Sequence, residues 1–516
     1  MPDSSFATSI GDVIGRAKAR RRALVAAGGI AVVLALIAVT VLTLLYNDHT
    51  CGFADDITRA GSECIGITDG SFAFDDNLKT VEQLIADENK SVTQQGKPFV
   101  TVAYYVPMTL SSTDSTNADV VRHEIEGAYV AQWQLNHSLI EGDLPLIRLV
   151  LANPGSGGAH YADVARRLVG LADSDQHLDA VAGLGISTAN TAGAVKILSQ
   201  AAIAMIADTI TATSINGEAY PGFVQVTPDN SDEVKAALAS LDGSVKTALL
   251  VQDTNPSDEY VKTLGEEFRT GFVKQPSDPH SAARTLIDEE TYNAALAGVA
   301  NRFAQISEEV CAQKPDVIYF AGRGSQLADF TAALDHRYCT TVPVKILSGD
   351  DTSNLLSSLA SGTPEATEIK DALSGGDGKA PIKVLYTALA YPQEWTGKCA
   401  TTDGSGAQGF LNAFGSRIQD KPGALEDGQA IMAYDAVLTA GAAIRVPEGQ
   451  SAGLPEHQQV VQNLAGLHGD NEVKGASGPI SINSLDGRPL DKPMPLLELE
   501  GTGTVQFTTI SWPEKA

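Results

Sequence analysis

Short apolar runs alternate with segments of helical period along most of this chain. Phe99 to Val106 reads as a buried strand and is followed by a Ser/Thr/Asn-rich loop, Ser111 to Asn117. A helix from about Asp119 to His137 carries Val121, Ile125, Ala128, Gln132 and Leu135 on one stripe. Pro145 to Leu151 is the next strand. Between Ala180 and Thr211, the runs Val181–Leu184 and Ala202–Ile206 flank one helical segment beginning near Ala189, which describes a parallel βαβ unit. After Pro228 a second series starts. Ser231, Asp232 and Glu233 open a helix with acidic residues suited to its N-terminal dipole. Strands over Lys246–Gln252, Asp316–Gly322 and Pro343–Gly349 alternate with helices over Ser257–Phe272, about Asn293–Gln313 and Gly324–Tyr338. Two successive sets of βα units predict two doubly wound lobes. Ser361 to Pro381 and Gly397 to Gly409 read as surface loops. Gly478–Asn483 and the run after Pro493 predict a closing hairpin around Asp486-Gly487.

One run breaks this alternation. Ala23 to Tyr46 contains no charge, and its length at 1.5 Å per residue exceeds a hydrocarbon core of ~30 Å. Arg16, Lys18, Arg20, Arg21 and Arg22 precede it, whereas Asp48, Asp55 and Asp56 follow. The positive-inside bias then predicts a cytoplasmic N-terminus, one transmembrane helix and an extracytoplasmic remainder in the cell membrane. A cleaved signal peptide is the rival reading. The run is longer than a usual signal core and lacks a small-residue cleavage pattern, which favours an uncleaved anchor.

All five cysteines lie beyond that run. Cys51 with Cys64, and Cys311 with Cys339, are the disulfide candidates, and Cys399 is left over. A bridge closing about fifteen residues stabilises by ~3 kcal/mol in the chain-entropy model. No Cys/His spacing suggests a metal. The net charge is −27, and the first 22 residues hold five basic and two acidic side chains, so the rest carries about −30. Such a surface repels phosphate backbones and argues against nucleic-acid binding.

Candidate chemistry gathers at strand ends. Ligands in open α/β sheets bind beyond the carboxyl ends of strands, where helix N-termini offer free N–H groups. Ser187 and Thr188 follow one such strand, and Asp208, Thr209 and Thr211 follow the next. These are also ordinary capping residues. No G-x-S-x-G elbow and no Walker A loop occur. Arg122-His123-Glu124-Ile125-Glu126-Gly127 lacks the second histidine of a zinc-protease helix, and His123 reads as a residue of its helix's polar face. The chain is read as a binding protein and not an enzyme, without cofactor.

From about Phe99 to Leu499 the ordered patterns resemble the type I periplasmic binding proteins, especially the leucine/branched-chain amino-acid-binding branch of ABC importers. The first strand ending in VPMT, GLGISTANTAGAVKILSQ, KTALLVQDTNPSDEYVKTLGEEF, PDVIYFAGRGSQLADF, VPVKILSGDD and the terminal GPISINSLDGRPLDKPMPLLEL carry the resemblance. It implies two Rossmann-like lobes joined by a three-strand hinge, with crossovers near Val226, Tyr391 and Asp470. The corresponding division is 1–22 tail, 23–46 transmembrane helix, 47–97 juxtamembrane segment, 98–226 plus 391–470 lobe 1, and 227–390 plus 471–512 lobe 2. A small polar, amino-acid-like ligand is implied between the lobes. Ser187, Thr188, Thr209 and Thr211 stand where the family holds a carboxylate, and Asp350 or Asp351 where it holds an ammonium group. Arg323 and Tyr434 fall near cleft-lining positions. Asp208 would repel a carboxylate there unless it points away. An ABC permease is the implied partner; the alternative is a ligand-sensing or regulatory ectodomain acting through a partner protein.

Overall fold

The computed structural model describes residues 15, 16, 18, 20, 28–42, 51, 56–137, 140–273, 284–395, 405–419, 423–445 and 454–511. Residues 1–64 and 65–516 form two compact units. In the first, residues 28–42 are helical and exposed, β1 spans Ile57–Ala60, and Cys51 is bonded to Cys64. Among the described residues no helix is long and apolar enough to cross a membrane. Residues 23–27 and 43–46 of the expected span lie outside the described residues, as does Cys399.

In the second unit the alternation of short β-rich runs with helical-period segments produces two largely parallel sheets. The first is ordered β2-β4-β3-β5-β6-β7, from β2 (Glu63–Thr68), β3 (Phe99–Tyr105), β4 (Leu146–Asn153), β5 (Leu178–Gly183), β6 (Ala204–Ala207) and β7 (Phe223–Gln225). Only β2 runs antiparallel in that series, pairing Gly66–Thr68 with Leu151–Asn153. The stretch 47–97, expected as a juxtamembrane segment, thus supplies a strand to this sheet. It also supplies α1 (Lys79–Gln94), whose Asn89 Nδ2 donates to the Leu149 carbonyl at 2.7 Å. The helices α2 (Ala118–His137), α3 (Tyr161–Ala172) and α4 (Ala189–Gln200) follow β3, β4 and β5. Val164, Leu168, Val195 and Leu198 of α3 and α4 bury their apolar stripes against Val150, Val181 and Met205 of the sheet.

The second sheet, which includes β15 (Met494–Leu499) and β16 (Val505–Ser511), is ordered β16-β15-β12-β11-β10-β8-β9. Its strands β8 (Thr247–Asp253), β9 (Thr285–Tyr292), β10 (Val317–Ala321), β11 (Val344–Ser348) and β12 (Ile382–Thr387) are parallel. The helices α5 (Asn230–Ala239), α6 (Glu259–Val273), α7 (Val299–Gln313) and α8 (Gly324–Asp335) cover its faces, which hold two separate apolar cores. Cys311 on α7 is bonded to Cys339. With a sequence separation of 28, that loop closure is worth ~3.6 kcal/mol in the chain-entropy model.

Several local expectations are corrected. Ser361–Pro381 is not a loop: α9 (Leu355–Ala360) leads to α10 (Pro364–Ser374), with Thr363 as N-cap, Pro364 in the first turn and left-handed Gly375 at the end. The Gly397–Gly409 loop ends early, because α11 begins at Ser405; residues 397–404 lie outside the described residues. The closing hairpin is absent as drawn. The Asp486-Gly487 turn makes only an isolated bridge between Ile482 and Pro489. Gly478–Ile480 (β14) pairs with Val473–Gly475 (β13), whereas β15 (Met494–Leu499) pairs with β12 and with β16 (Val505–Ser511). The strand β9 was hidden by its composition, TLIDEETY, since an edge strand facing water carries no apolar run.

The chain enters the second sheet after β7 and returns after β12, to lay α12 (Gln429–Ile444) and α13 (His457–Leu464) on β5 and β6 of the first. It then goes back for β15. α12 lies tightly on α2. A methyl placed on Gly127 would meet the Ala430 carbonyl oxygen at 2.0 Å, so only glycine permits this approach. Gly127→Ala is therefore expected to destabilise the chain by ~1–3 kcal/mol, the range for overpacking. Urea unfolding reads this as a lower midpoint at unchanged slope.

Candidate functional site

Beyond β5 the backbone turns sharply through three successive left-handed residues, Gly183, Leu184 and Gly185. Leucine is strained there, and such strain clusters at functional sites. The turn carries Ser187 out to the second lobe. Its carbonyl accepts from the amides of Glu259 (3.2 Å) and Tyr260 (3.3 Å), the first turn of α6, and from Arg323 Nη2 at 3.3 Å. A helix N-terminus offers unsatisfied N–H groups suited to an anion. Here a carbonyl oxygen of the other lobe occupies them. Ala189 N also donates to Ser257 O at 3.0 Å, and Asn230 N to Thr211 O at 2.7 Å.

Arg323 stands at the centre of this junction and is 5% exposed. Nε and Nη2 form a fork with the Asp258 carboxylate at 2.8 and 2.9 Å, and Nη1 donates to Asp351 Oδ1 at 2.9 Å. The guanidinium lies 4.5 Å over the Tyr260 ring. Burial disfavours the charge, but Asp258 and Asp351 more than offset it and hold the group protonated. Asp351 Oδ2 takes the Gly324 amide at 2.6 Å.

Between the two lobes lies a small cavity of about 10 Å³. Thr116, Val120, Glu124, Ile186, Thr209 and Gln429 wall it from the first lobe, and Arg323, Asp350, Asp351 and Asn354 from the second. Its carboxyls are strongly perturbed. Burial, then the charges of Asp208 and Asp427, push Glu124 well above the usual range against the opposing His123. Burial and the neighbouring Asp351 raise Asp350 from 3.8 to about 7. Glu233, whose Oε2 accepts the Asp350 amide at 3.1 Å, is pushed up by burial and by Asp350. Asp208 is raised by burial to about 6, with hydrogen bonds from Tyr104 and Thr209 working against the rise. Glu124 Oε2 and Asp350 Oδ1 are buried without a hydrogen-bond partner.

Of the sequence-derived candidates, Thr209, Arg323, Asp350 and Asp351 come together on this cavity. Ser187 and Thr211 do not line it. Ser187 Oγ accepts from the amides of Thr211 (3.1 Å) and Ala212 (3.2 Å), so this hydroxyl is turned onto the neighbouring loop. Thr188 caps α4 by accepting from Thr191 N at 3.2 Å, and Thr209 donates to Gly185 O at 3.0 Å. Asp208 points inward, with Tyr104 Oη donating to it at 2.6 Å. Tyr434 is a correction: its hydroxyl donates to Gln134 at 2.6 Å and its ring packs on Phe410, inside the lobe. Gln429, at the N-terminus of the same helix α12, reaches the cavity instead. His123 is also corrected. It is buried, with Nδ1 2.6 Å from Asp427 Oδ2, because α2 is covered on nearly every side.

Glu124 and Asp258 went unnoticed in the sequence. A carboxylate three residues after Val121 and one before Ile125 was the available signal for the first. Asp258, within an Asn-Pro-Ser-Asp turn, looks like a plain helix cap, and it does accept from Tyr260 N and Val261 N. Among the described residues no group of three or more His, Cys, Asp or Glu side chains is arranged to hold a metal ion.

No family model matches the sequence, and no curated protein does. Solved structures do resemble the fold. A branched-chain amino acid transporter substrate-binding protein from Streptococcus pneumoniae, in complex with isoleucine, has a TM-score of 0.58 at 18% identity, over 80% of this chain and 100% of that one. A branched-chain amino acid ABC transporter protein from Thermus thermophilus with bound valine gives 0.58 at 14%, over 82% and 98%. A solute-binding protein of an ABC transporter from Rhodopseudomonas palustris, in complex with 3,4-dihydroxybenzoic acid, gives 0.52 at 15%, over 81% and 98%. The chain has the type I periplasmic-binding-protein fold.

Two outcomes are expected. Arg323→Met leaves Asp258 and Asp351 facing each other without their cation and should destabilise the ligand-free chain by ~3–5 kcal/mol, with part recovered by adding Asp351→Asn. An unchanged melting curve would assign Arg323 to a ligand instead. The second concerns pH. Asp350 binds its proton more tightly folded than unfolded, so its contribution is complete below about pH 4 and is lost as pH rises towards about 7. Asp350→Asn should therefore gain stability relative to the parent across that window and hold the gain above it, as read by urea unfolding.

Proposed function

We propose that this chain is an extracytoplasmic solute-binding protein, tethered through Ala23–Tyr46, that captures a small polar ligand of amino-acid size and presents it to an ABC-type permease. The observation that carries this reading is the junction of the two lobes, where polar side chains from both face one small cavity that lobe opening would widen. Closure of such lobes around a ligand is a population shift driven by contacts made only in the closed state. The lobes are assigned to 98–226 plus 391–470 and to 227–390 plus 471–512. Membrane tethering is supported by the described helix, whose Ile30, Leu34, Leu36, Ile37 and Leu42 are more than half exposed and call for an apolar surrounding. The N-terminus is assigned to the cytoplasm. No catalytic role is proposed.

A second reading is favoured by one feature. The lobes are joined by direct hydrogen bonds from the Glu259 and Tyr260 amides to the Ser187 carbonyl, which stabilise closure without any ligand. That suits a sensor or regulatory ectodomain whose closed form is read by a partner protein.

Thermal unfolding of the full chain in detergent, against panels of amino acids, amines, organic acids, sugars and nucleosides, separates the two. A ligand at 100 times its Kd adds ~2.7 kcal/mol, a readily measured rise in Tm. A hit supports capture. No hit, together with co-purification of a kinase or envelope enzyme in place of a permease, supports the regulatory reading.

A further inference from the structure

Glu124 of the first lobe and Asp350 of the second wall the same small cavity at the junction. Its volume of about 10 Å³ leaves room for about one water. Glu124 is 4% exposed and Asp350 8%, and Glu124 Oε2 and Asp350 Oδ1 are buried without a hydrogen-bond partner. Closure of the lobes thus takes a carboxyl from each of them out of water at one place.

The surroundings of both groups favour the neutral carboxyl. Asp208 after β6 and Asp427 before α12 face Glu124 with like charge. Tyr104 of β3 brings only a hydroxyl, which is bonded to Asp208, and His123, the opposing cation, is held by Asp427. Asp351 and Glu233 of α5 face Asp350 with like charge, and Tyr260 of α6 and Tyr319 of β10 lie beside it. Arg323 is the one cation on the cavity wall among the described residues, and its guanidinium is bound to Asp258 and Asp351. Burial is the largest cause that raises both carboxyls, and each lobe contributes to it across the cavity.

We propose that the junction is a pH-sensitive latch: with Glu124 and Asp350 protonated the lobes stay shut, and ionisation of these carboxyls in the dry cavity drives them apart. The latch goes beyond the capture reading and serves the regulatory one equally, because it concerns the junction and not what passes through it. A carboxyl that holds its proton more tightly in the closed form favours closure below its open-form range, and that favour is lost as pH rises through its closed-form range. For Asp350, raised from 3.8 to about 7, the window runs from about pH 4 to about pH 7. Glu124, pushed well above the usual range, extends it upwards.

Residue-resolved hydrogen exchange on the full chain in detergent tests this. The amides of Glu259 and Ala189 open α6 and α4 and donate across the junction to Ser187 O and Ser257 O. First-turn amides have no intrahelical acceptor, so their exchange reports parting of the lobes. Divided by the intrinsic rate, that exchange should rise at least ~10-fold from about pH 5 to about pH 8. It should stay at least ~100-fold faster than exchange of the β3 amides, which need global unfolding. In the Glu124→Gln/Asp350→Asn double variant the rise should shrink to less than ~2-fold, with the amides kept protected at about pH 8. A flat profile in the parent overturns the latch and leaves the capture reading standing. A rise that survives in the double variant also overturns it, since the titrating group would then be His123 or another. Junction amides that exchange no faster than those of β3 overturn it too, because the lobes would then part only on unfolding.

Discussion

Everything at the junction of the two lobes is organised around one buried cation. Arg323 satisfies two carboxylates of its own lobe and still reaches the Ser187 carbonyl of the other. Two buried carboxylates this close are tolerable only because a guanidinium lies between them. Their positions in turn fix the start of α6 through Asp258 and the start of α8 through the Asp351–Gly324 bond. The cavity beside them takes its shape from these constraints. The positive charge is spent within the protein, and the neighbouring carboxyls of Glu124 and Asp350, left without a cation of their own, are pushed up.

The solved structures that share this architecture include one with isoleucine, one with valine and one with 3,4-dihydroxybenzoic acid. Each of those ligands carries a carboxyl group. In this chain the strand-end loops turn hydroxyls and amides on one another, as Ser187 does with Thr211 and Ala212. A common scaffold thus leaves ligand polarity to a few side chains at strand ends.

The alternation of apolar runs and helical stripes made the paired sheets legible, because parallel strands buried on both faces leave uninterrupted hydrophobic segments. Strands such as β8, β10 and β11 fall within a residue of their expected bounds. What stayed hidden depends on partners distant in sequence. The antiparallel partners of β15 are β12 and β16, not the run before Asp486-Gly487, and local turn chemistry cannot reveal that choice. Tyr434 and Gln429 lie on one helix, and only its packing against α2 decides which reaches the cavity. The loop residues Ser187, Thr188, Thr209 and Thr211 were found by position, but the direction of each hydroxyl was not written in their identity. Hydroxyls serve equally as caps and as ligand donors.

The threefold-bonded Ser187 carbonyl has a kinetic side. Parting the junction trades its three hydrogen bonds for bonds to water, at a net ~1 kcal/mol each, and the Ala189–Ser257 and Asn230–Thr211 bonds beside it break in the same event. Their costs add, so the open form is a small minority, and the rate of any process that needs it is lowered by that fraction.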